Sequence, residues 1–369
     1  MAPSLHHHPK EINDPETLAT KPHVHQLIDR VPMDIMRLRA FIYRHVRKFL
    51  DTDGFMEVET PMFDVGAGGA IARPFETVSN EMSNRPLKLR VAPELYLKRL
   101  IVGENPKIYE LGKVFRNEGV DNTHNPEFTI CEFYETGATL DNLIRRTERL
   151  FHDLSDAIEQ ARETQFPTFP ITKIERAPFP RLQFIPTIEK ALNCKLPDLS
   201  SDTAGDELLA LFKTHNITVP AQPTLPRLLD TLAEQYIEPL CSEPTFITHH
   251  PEALSPLSKS FLDPATNQRV AARAELFIQQ REYVNCYEEE NSPFEQRKKF
   301  EQQVRFHRGD DDAVIDESYI EALEWGMPPT GGWGCGMDRL VMLFAGQRRI
   351  ADVLPFGTLR NLVSIAKNK

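Results

Sequence analysis

Two kinds of hydrophobic pattern run along the chain. Apolar residues between Ile35 and Leu50 recur at helical spacing and basic residues fill the opposite side, which predicts an amphipathic helix. Two alternating runs, "PKIYELGKVF" and "FTICEFYE", predict a β-hairpin. Further strands are predicted at "FMEVETP", "LKLRV", "PTFITHH", "AELFIQQ" and "EYVNCYEEE", and further helices at "PELYLKRLIV", "DNLIRRTERLFHDLSDAIEQA", "DELLALFKTH" and "TLPRLLDTLAEQY". Antiparallel hairpins with helices between them predict an α+β fold.

The pattern also predicts the organisation of the chain. Residues 1–33 form a polar N-terminal tail, and residues 34–369 form one large domain. Five prolines between residues 167 and 187 predict an irregular connector, so about 165–240 is interpreted as an insertion in that domain.

Composition narrows the class of protein. The chain has 369 residues, of which 26% are charged and 40% hydrophobic, as in ordinary globular proteins. No apolar run approaches the roughly 18 residues of a membrane span. The net charge of −11 is unfavourable for general nucleic-acid binding, so any RNA contact needs a local basic patch.

The N-terminus and the cysteines bear on location. The first twenty residues have no apolar signal core, and their acidic residues argue against a typical mitochondrial transit peptide. Five scattered cysteines without CxxC pairs favour a reducing compartment and argue against structural zinc. The expected location is cytoplasmic, with the mitochondrion as the alternative.

The predicted hairpin carries the first candidate chemistry, in the stretch "FRNEGVDNTHNPEF" between its strands. Alternation places four residues of the second strand on one face: Phe128, Ile130, Glu132 and Tyr134. Arg116 and Glu118 share a face at the end of the first strand. An arginine beside an aromatic ring and carboxylates can bind phosphate, stack a base and hold a cation. The alternative is a surface hairpin with salt bridges.

Two further clusters carry charge. Arg339 follows "GGWGCGMD" at the start of an apolar helix, a position that favours anions, although Asp338 could simply cap the helix there. In "RAELFIQQREYVNCYEEEN", Glu275 and Glu282 are candidate Mg²⁺ ligands. Alternation places Asn285, Tyr287 and Glu289 on one face of the strand and Glu282 on the other. If all four residues line one pocket, the strand must contain a bulge. The alternative is a solvated acidic strand. No GxGxxG follows a strand and no P-loop occurs, so ATP binding would use another arrangement.

Together these segments resemble one family. "FRNEGVDNTHNPEFTICEFY" resembles motif 2 of class II aminoacyl-tRNA synthetases, "GGWGCGMDRLVML" resembles motif 3, and "GFMEVETPMF" looks like motif 1. "GAGGAIARPFET", "RVAPELYLKRL" and "EYVNCYEEEN" are similar to the lysyl branch. The resemblance implies an antiparallel sheet flanked by helices, and a homodimer formed through motif 1 around Pro61.

The resemblance also implies roles for single residues in activating lysine with ATP and Mg²⁺. Arg116 would grip the α-phosphate and the reacting carboxylate, and Arg339 would cover adenine opposite Phe128. The remaining nucleotide and metal positions are Glu118, His124, Glu275 and Glu282. Glu94 and Glu132 would hold the α-ammonium of lysine and Asn285 its carboxylate, while Tyr134, Tyr287 and Glu289 line the pocket for its far ammonium.

Two departures from the family pattern affect the expected function. Val284 and Cys286 flank Asn285 where bacterial lysyl enzymes have glycines, which predicts a narrower pocket that still accepts lysine. Only some 33 residues precede the motif 1 helix, too few for the OB-fold that reads the anticodon. Lysine activation with transfer to tRNA is the leading hypothesis. The alternatives are a stand-alone ligase that moves lysine or an analogue onto a protein or small molecule, similar to the ligase that modifies elongation factor P, and a non-catalytic paralogue.

Overall fold

The computed structural model describes residues 10–12, 14–64, 72–81, 86–176, 178–306 and 315–367. Residues 66–71 of the "GAGGAIARPFET" segment and the histidine-rich start of the chain lie outside this part. The strands are β1 Met56–Glu57, β2 Phe63–Asp64, β3 Glu76–Val78, β4 Pro86–Leu89, β5 Lys107–Phe115, β6 Glu127–Thr136, β7 Arg181–Gln183, β8 Thr245–Thr248, β9 Ser260–Asp263, β10 Gln268–Ala271, β11 Arg273–Ile278, β12 Arg281–Glu288 and β13 Thr330–Gly336.

Helices lie between most of these strands. They are α1 Pro15–Thr20, α2 Pro22–Ile28, α3 Val31–Thr52, α4 Glu94–Val102, α5 Leu140–Gln165, α6 Phe184–Leu192, α7 Ala204–Thr214, α8 Leu225–Tyr236, α9 Pro293–Phe306, α10 Glu317–Glu324, α11 Met337–Phe344 and α12 Leu359–Lys367. Among the described residues, no helix has the length and apolar character needed to cross a bilayer. The mixture of helices with antiparallel strands confirms the predicted α+β class.

One large sheet organises the molecule. Its strand order is β1-β5-β6-β13-β12-β11-β8-β7, with antiparallel pairing throughout except at the two edges, where β1 and β7 are parallel to their neighbours. The predicted hairpin is present as β5 and β6, which pair from Lys107↔Glu135 to Phe115↔Glu127. The smaller sheets are β2-β4-β3 and β9-β10.

Helices α3, α5 and α11 cover one face of the large sheet. The apolar side of α3, including Leu38, Ile42 and Val46, is fully buried. It belongs to a core that also contains residues of α5 and the strand residues whose side chains point to this face of the sheet. Thr139 caps α5 in a capping box with Asn142. The opposite face of the sheet is therefore left for polar residues, and it carries the cavity described below.

Two segments differ from the patterns read in the sequence. Residues 15–28 within the predicted polar tail form the short helices α1 and α2, each begun by a proline in its first turn. The glycine-rich run before Arg339 leads directly into α11, as expected, but its residues Thr330–Gly336 themselves form β13 in the middle of the large sheet, which was not predicted. Helices α6, α7 and α8, within residues 165–240, share a second apolar core with residues of β8 and β11.

Candidate active site

One cavity, of about 450 Å³, lies on the polar face of the large sheet. All the residues that the sequence analysis singled out for chemistry line it: Glu94, Arg116, Glu118, His124, Phe128, Glu132, Tyr134, Glu275, Glu282, Asn285, Tyr287, Glu289 and Arg339. They come from α4, from the hairpin β5–β6, from β11 and β12, and from the start of α11. The predicted alternation along β6 is confirmed, since Phe128, Ile130, Glu132 and Tyr134 all face this cavity.

One half of the cavity presents two guanidinium groups near an aromatic ring. The guanidinium of Arg116 lies 5.2 Å from the centre of the Phe128 ring. Arg339 Nη2 lies 2.9 Å from His124 Nε2, and the other ring nitrogen of His124 lies 2.8 Å from a carboxylate oxygen of Asp121. Asp121 therefore orients His124 toward Arg339. This half offers planar donors suited to phosphate and a flat surface suited to a base.

A bulge in β12 brings Glu282 into the cavity. Glu275 pairs with Asn285 and Leu276 with Val284, but Phe277 pairs with Glu282, so Tyr283 has no counterpart on β11. The extra residue shifts the parity of the strand, and Glu282 then faces the same side as Asn285. The irregularity required by the sequence argument is thus present.

Glu275 and Glu282 have different surroundings. Burial would raise the pKa of Glu275, but Arg273 and His250 outweigh it and lower that pKa to about 2. Its carboxylate contacts Arg273 and lies 3.0 Å from His250 Nε2. Burial and the nearby charge of Glu275 raise the pKa of Glu282, whose carboxylate lies 3.7 Å from Arg339. Two carboxylates that oppose each other's ionisation are suited to a shared divalent cation.

The described residues do not by themselves complete a metal site. They contain no group of three or more His, Cys, Asp or Glu side chains placed to hold a metal ion. Glu275 and Glu282 can hold Mg²⁺ only together with further ligands. In nucleotide sites this ion is bound by one or two carboxylates, and water and substrate phosphates supply the remaining ligands.

Arg273 was missed by the sequence analysis. Its side chain is largely buried, and its Nε donates to Asn285 Oδ1 at 2.9 Å. The amide oxygen of Asn285 is therefore occupied, which leaves the NH₂ group as the part that can donate to a ligand in the cavity. Period-two spacing from Glu275 was the signal that could have revealed Arg273.

Four acidic or phenolic side chains form the other half of the cavity. The Tyr287 hydroxyl donates to Glu94 Oε1 at 2.6 Å, and the Tyr134 hydroxyl donates to Glu132 Oε2 at 3.1 Å. Burial, together with the charge of Glu94, raises the pKa of Glu132 to about 8, against the opposing effects of Tyr134 and Arg116. Buried carboxylates in this state favour a cationic ligand.

Glu289 closes this half of the cavity. Its side chain is fully buried, and it forms an ion pair with Lys98, a residue the sequence analysis did not single out. Burial raises the pKa of Glu289 well above its ordinary value, and Lys98 offsets this only in part. A Cβ atom added at Gly332 of β13 would overlap Glu289 Oε1 and approach Tyr134 Cε1 to 2.7 Å. The absence of a side chain at Gly332 thus makes room for the carboxylate.

His250 is the third residue that sequence reasoning missed. No sequence pattern singled it out, but His250 is buried and contacts Glu275. Burial lowers the pKa of His250 against the opposing charge of Glu275. Sequence pattern alone carries no sign of this contact, because His250 follows β8 whereas Glu275 lies within β11.

An eight-stranded sheet with this arginine-rich and acid-rich cavity is the catalytic core of a class II aminoacyl-tRNA synthetase. The family model described as tRNA synthetases class II (D, K and N) matches residues 14–360. The chain belongs to that family. The match begins within the segment predicted as a polar tail.

Curated relatives place the chain beside lysine--tRNA ligases. The protein named lysine--tRNA ligase cla4, from Cladosporium cladosporioides, is 40% identical over 98% of this chain and 62% of its own length. "Probable lysine--tRNA ligase, cytoplasmic" of Encephalitozoon cuniculi is 43% identical over 98% and 72%. The mitochondrial lysine--tRNA ligase of Schizosaccharomyces pombe is 40% identical over 98% and 68%. The chain thus spans about two thirds of the length of these relatives.

Proposed function

We propose that the protein activates L-lysine with ATP to form lysyl-adenylate and transfers the lysyl group to tRNA. The observation that carries this proposal is the cavity itself, whose lining combines Arg116 and Arg339 with the buried carboxylate of Glu289. A buried carboxylate discriminates strongly in favour of an ammonium group, because a neutral side chain would leave the charge unpaired.

The first step would be an in-line displacement at phosphorus. A carboxylate oxygen of lysine attacks the α-phosphorus of ATP, and the bond to the β-phosphate oxygen breaks to release pyrophosphate. Such a step needs alignment and neutralisation of charge more than proton transfer. Arg116 would bind the α-phosphate and the attacking carboxylate, and Arg339 the outer phosphates, with Phe128 stacking on adenine.

The acidic half would hold the amino acid. Glu94 and Glu132 would bind its α-ammonium, the NH₂ group of Asn285 its carboxylate, and Glu289 its far ammonium. Glu275 and Glu282 would hold Mg²⁺, which would supply charge neutralisation at the phosphates. Glu118 and His124 would contact adenine and the phosphate tail.

A homodimer formed through the motif 1 segment is part of the proposal. Four large apolar side chains near Pro61 and in the small sheet are exposed: Met56, Met62, Phe63 and Val78. Exposed apolar residues grouped in this way favour a protein interface. Sedimentation velocity should give the mass of a dimer, and a monomer at micromolar concentration would contradict this part.

Domain limits and compartment are also proposals. Residues 165–240 are proposed as an insertion in the catalytic domain of residues 34–369, with residues 1–33 before it. The cytoplasm is proposed as the compartment, because a relative named as cytoplasmic is 43% identical to the chain. The mitochondrion is the alternative, because a relative named as mitochondrial is 40% identical.

Two assays on one preparation test the function. The first is lysine-dependent exchange between ATP and pyrophosphate, which is expected to be present. The second is transfer of lysine to total tRNA. Exchange without transfer would favour a ligase with another acceptor, and absence of exchange in folded protein would overturn the proposal.

A further inference from the structure

Glu289 is held from behind by a lysine that does not face the cavity. Lys98 lies one helical turn after Glu94 in α4, and its side chain is fully buried. Its ammonium contacts Glu289 Oε2 and lies 2.5 Å from Glu94 Oε1. Both carboxylates line the cavity, whereas Lys98 lies behind them. The ammonium therefore contacts Glu94, proposed to bind the α-ammonium of lysine, and Glu289, proposed to bind the far ammonium, without lying in the pocket between them.

The contact between Lys98 and Glu289 is one-sided. Lys98 forms its ion pair at Oε2 without hydrogen-bond geometry, while Oε1 has neither an ion-pair nor a hydrogen-bond partner among the described residues. Oε1 lies over the bare backbone of Gly332, which itself lines the cavity. A buried carboxylate oxygen without a donor is costly, and an ammonium group entering the cavity would supply the missing donor.

The charge of Lys98 is permanent. Burial would lower the pKa of its ammonium, but Glu289 and Glu94 outweigh burial and hold that pKa well above its ordinary value. The pocket contains three carboxylates, those of Glu94, Glu132 and Glu289. One fixed ammonium behind them offsets only part of the negative charge that they carry when ionised, and a cationic ligand would offset the rest.

We infer that Lys98 is a positioning residue that fixes the Glu289 carboxylate and so sets the length of the ammonium side chain that the pocket accepts. The inference rests on the proposed function, because it concerns selection of lysine at the same site. Anchored at Oε2, Glu289 cannot move to meet a shorter side chain. Ornithine, which is one methylene shorter, would therefore leave Oε1 without its partner.

A purely structural ion pair makes different predictions. Lys299 offers a matched control, because it is also buried and its ammonium lies 2.8 Å from Glu290 Oε2, next to Glu289 in sequence. Neither Lys299 nor Glu290 lines the cavity. Removing either lysine would lower the stability of the protein if its ion pair is structural. Only removal of Lys98 would change KM for lysine if Lys98 positions Glu289.

The test measures ATP–pyrophosphate exchange with the full chain and its variants between pH 6.5 and 9. Lys98→Met should raise KM for lysine by about 10- to 100-fold, by analogy with the loss seen when a group that orients a metal ligand is removed, and leave KM for ATP unchanged. It should also make KM for lysine fall more steeply with rising pH, because Glu289 then keeps its proton to higher pH. Lys299→Met should lower only the melting temperature.

Lys98→Arg tests the geometry while retaining the charge. It should keep the wild-type pH profile, but its longer, planar head should move Glu289 and raise kcat/KM for ornithine relative to lysine. If Lys98→Met does not fold, as judged by circular dichroism, the ratio of ornithine to lysine use by Lys98→Arg decides whether the inference holds.

The outcomes separate the inference from the function on which it rests. A folded Lys98→Met with wild-type KM for lysine and pH profile overturns the inference, as does Lys98→Arg with an unchanged ratio of ornithine to lysine. If the wild-type chain shows no lysine-dependent exchange, the proposed function fails and the inference falls with it.

Discussion

Arg39 of α3 donates a hydrogen bond to Asp338 of α11 at 2.5 Å. The other carboxylate oxygen of Asp338 accepts from the backbone N–H of Thr129 in β6 at 2.7 Å. The buried side chain of Asp338, the residue next to Arg339, thus connects the motif 1 helix to the motif 2 strand. The sequence suggested Asp338 only as a possible helix cap.

Asp338→Ala should destabilise the protein by about 3–5 kcal/mol, the cost of leaving the partner of a buried ion pair unpaired. Only 3% of the Asp338 side chain and 13% of the Arg39 side chain are exposed, so solvent does little to replace the pair. Urea denaturation measures the change. As a control, Asp352→Ala removes the half-buried partner of the exposed Arg349 and should cost about 0–1 kcal/mol. Equal losses in the two variants would show that the Asp338 contacts are not important.

Glu289→Gln should reduce lysine-dependent exchange by about 10²- to 10⁴-fold, corresponding to loss of a buried charge partner. ATP binding should persist, since Glu289 lies in the acidic half of the cavity. Exchange kinetics and fluorescent-nucleotide binding measure the two effects. Glu290→Gln is the matched control and should affect stability more than lysine use. Unchanged lysine selectivity in Glu289→Gln would place the specificity pocket elsewhere.

Gly332→Ala should raise KM for lysine, because the new methyl group would overlap the Glu289 carboxylate and crowd the Tyr134 ring. KM for ATP should change little. At Gly334 in the same strand, an added Cβ would meet Glu132 Cγ at 3.6 Å, an ordinary contact. Gly334→Ala should therefore have the smaller effect. Steady-state exchange kinetics compare the two, and the reverse order would contradict the described packing of β13.

Binding of lysine should release protons below pH 8. The raised pKa of Glu132, about 8, means that most of this carboxyl is protonated at pH 7 in the empty pocket. An incoming α-ammonium favours the ionised form, so the proton leaves, and lysine affinity rises with pH until the group is fully ionised.

Calorimetry in buffers of different ionisation enthalpy measures this release. At pH 7 the observed binding enthalpies should differ between phosphate and Tris, and the difference should shrink toward pH 9. Glu132→Gln should remove the part of the difference that arises from this residue. Identical enthalpies in both buffers at pH 7 would show that Glu132 is already ionised.

Local pattern predicted much of this structure. The alternation that identified β5 and β6 also identified the cavity-facing residues Phe128 and Glu132, because side-chain direction in a strand follows from period two alone. The off-parity position of Glu282 even indicated the bulge. These features depend on neighbours in sequence, so the sequence reveals them.

The missed features depend on contacts between distant segments. Strand β13 was not expected because glycine is unfavourable in strands, yet a Cβ at Gly331 would lie 2.9 Å from the Ala138 carbonyl oxygen. Close packing explains the glycine there, and no local pattern reports it. Likewise, the spacing of Glu94 and Lys98 is that of an ordinary helix-surface pair. Only the fold shows that both are buried beside Glu289.

The bulge at Tyr283 has a consequence for engineering. It separates β12 into a part beside the proposed nucleotide site and a part, from Asn285 onward, beside the proposed amino-acid site. Substitutions at Tyr287 or Glu289 that recruit a different amino acid therefore need not disturb phosphate handling. Deleting a single residue at Tyr283 would instead rotate one part of the strand against the other and uncouple the two substrates.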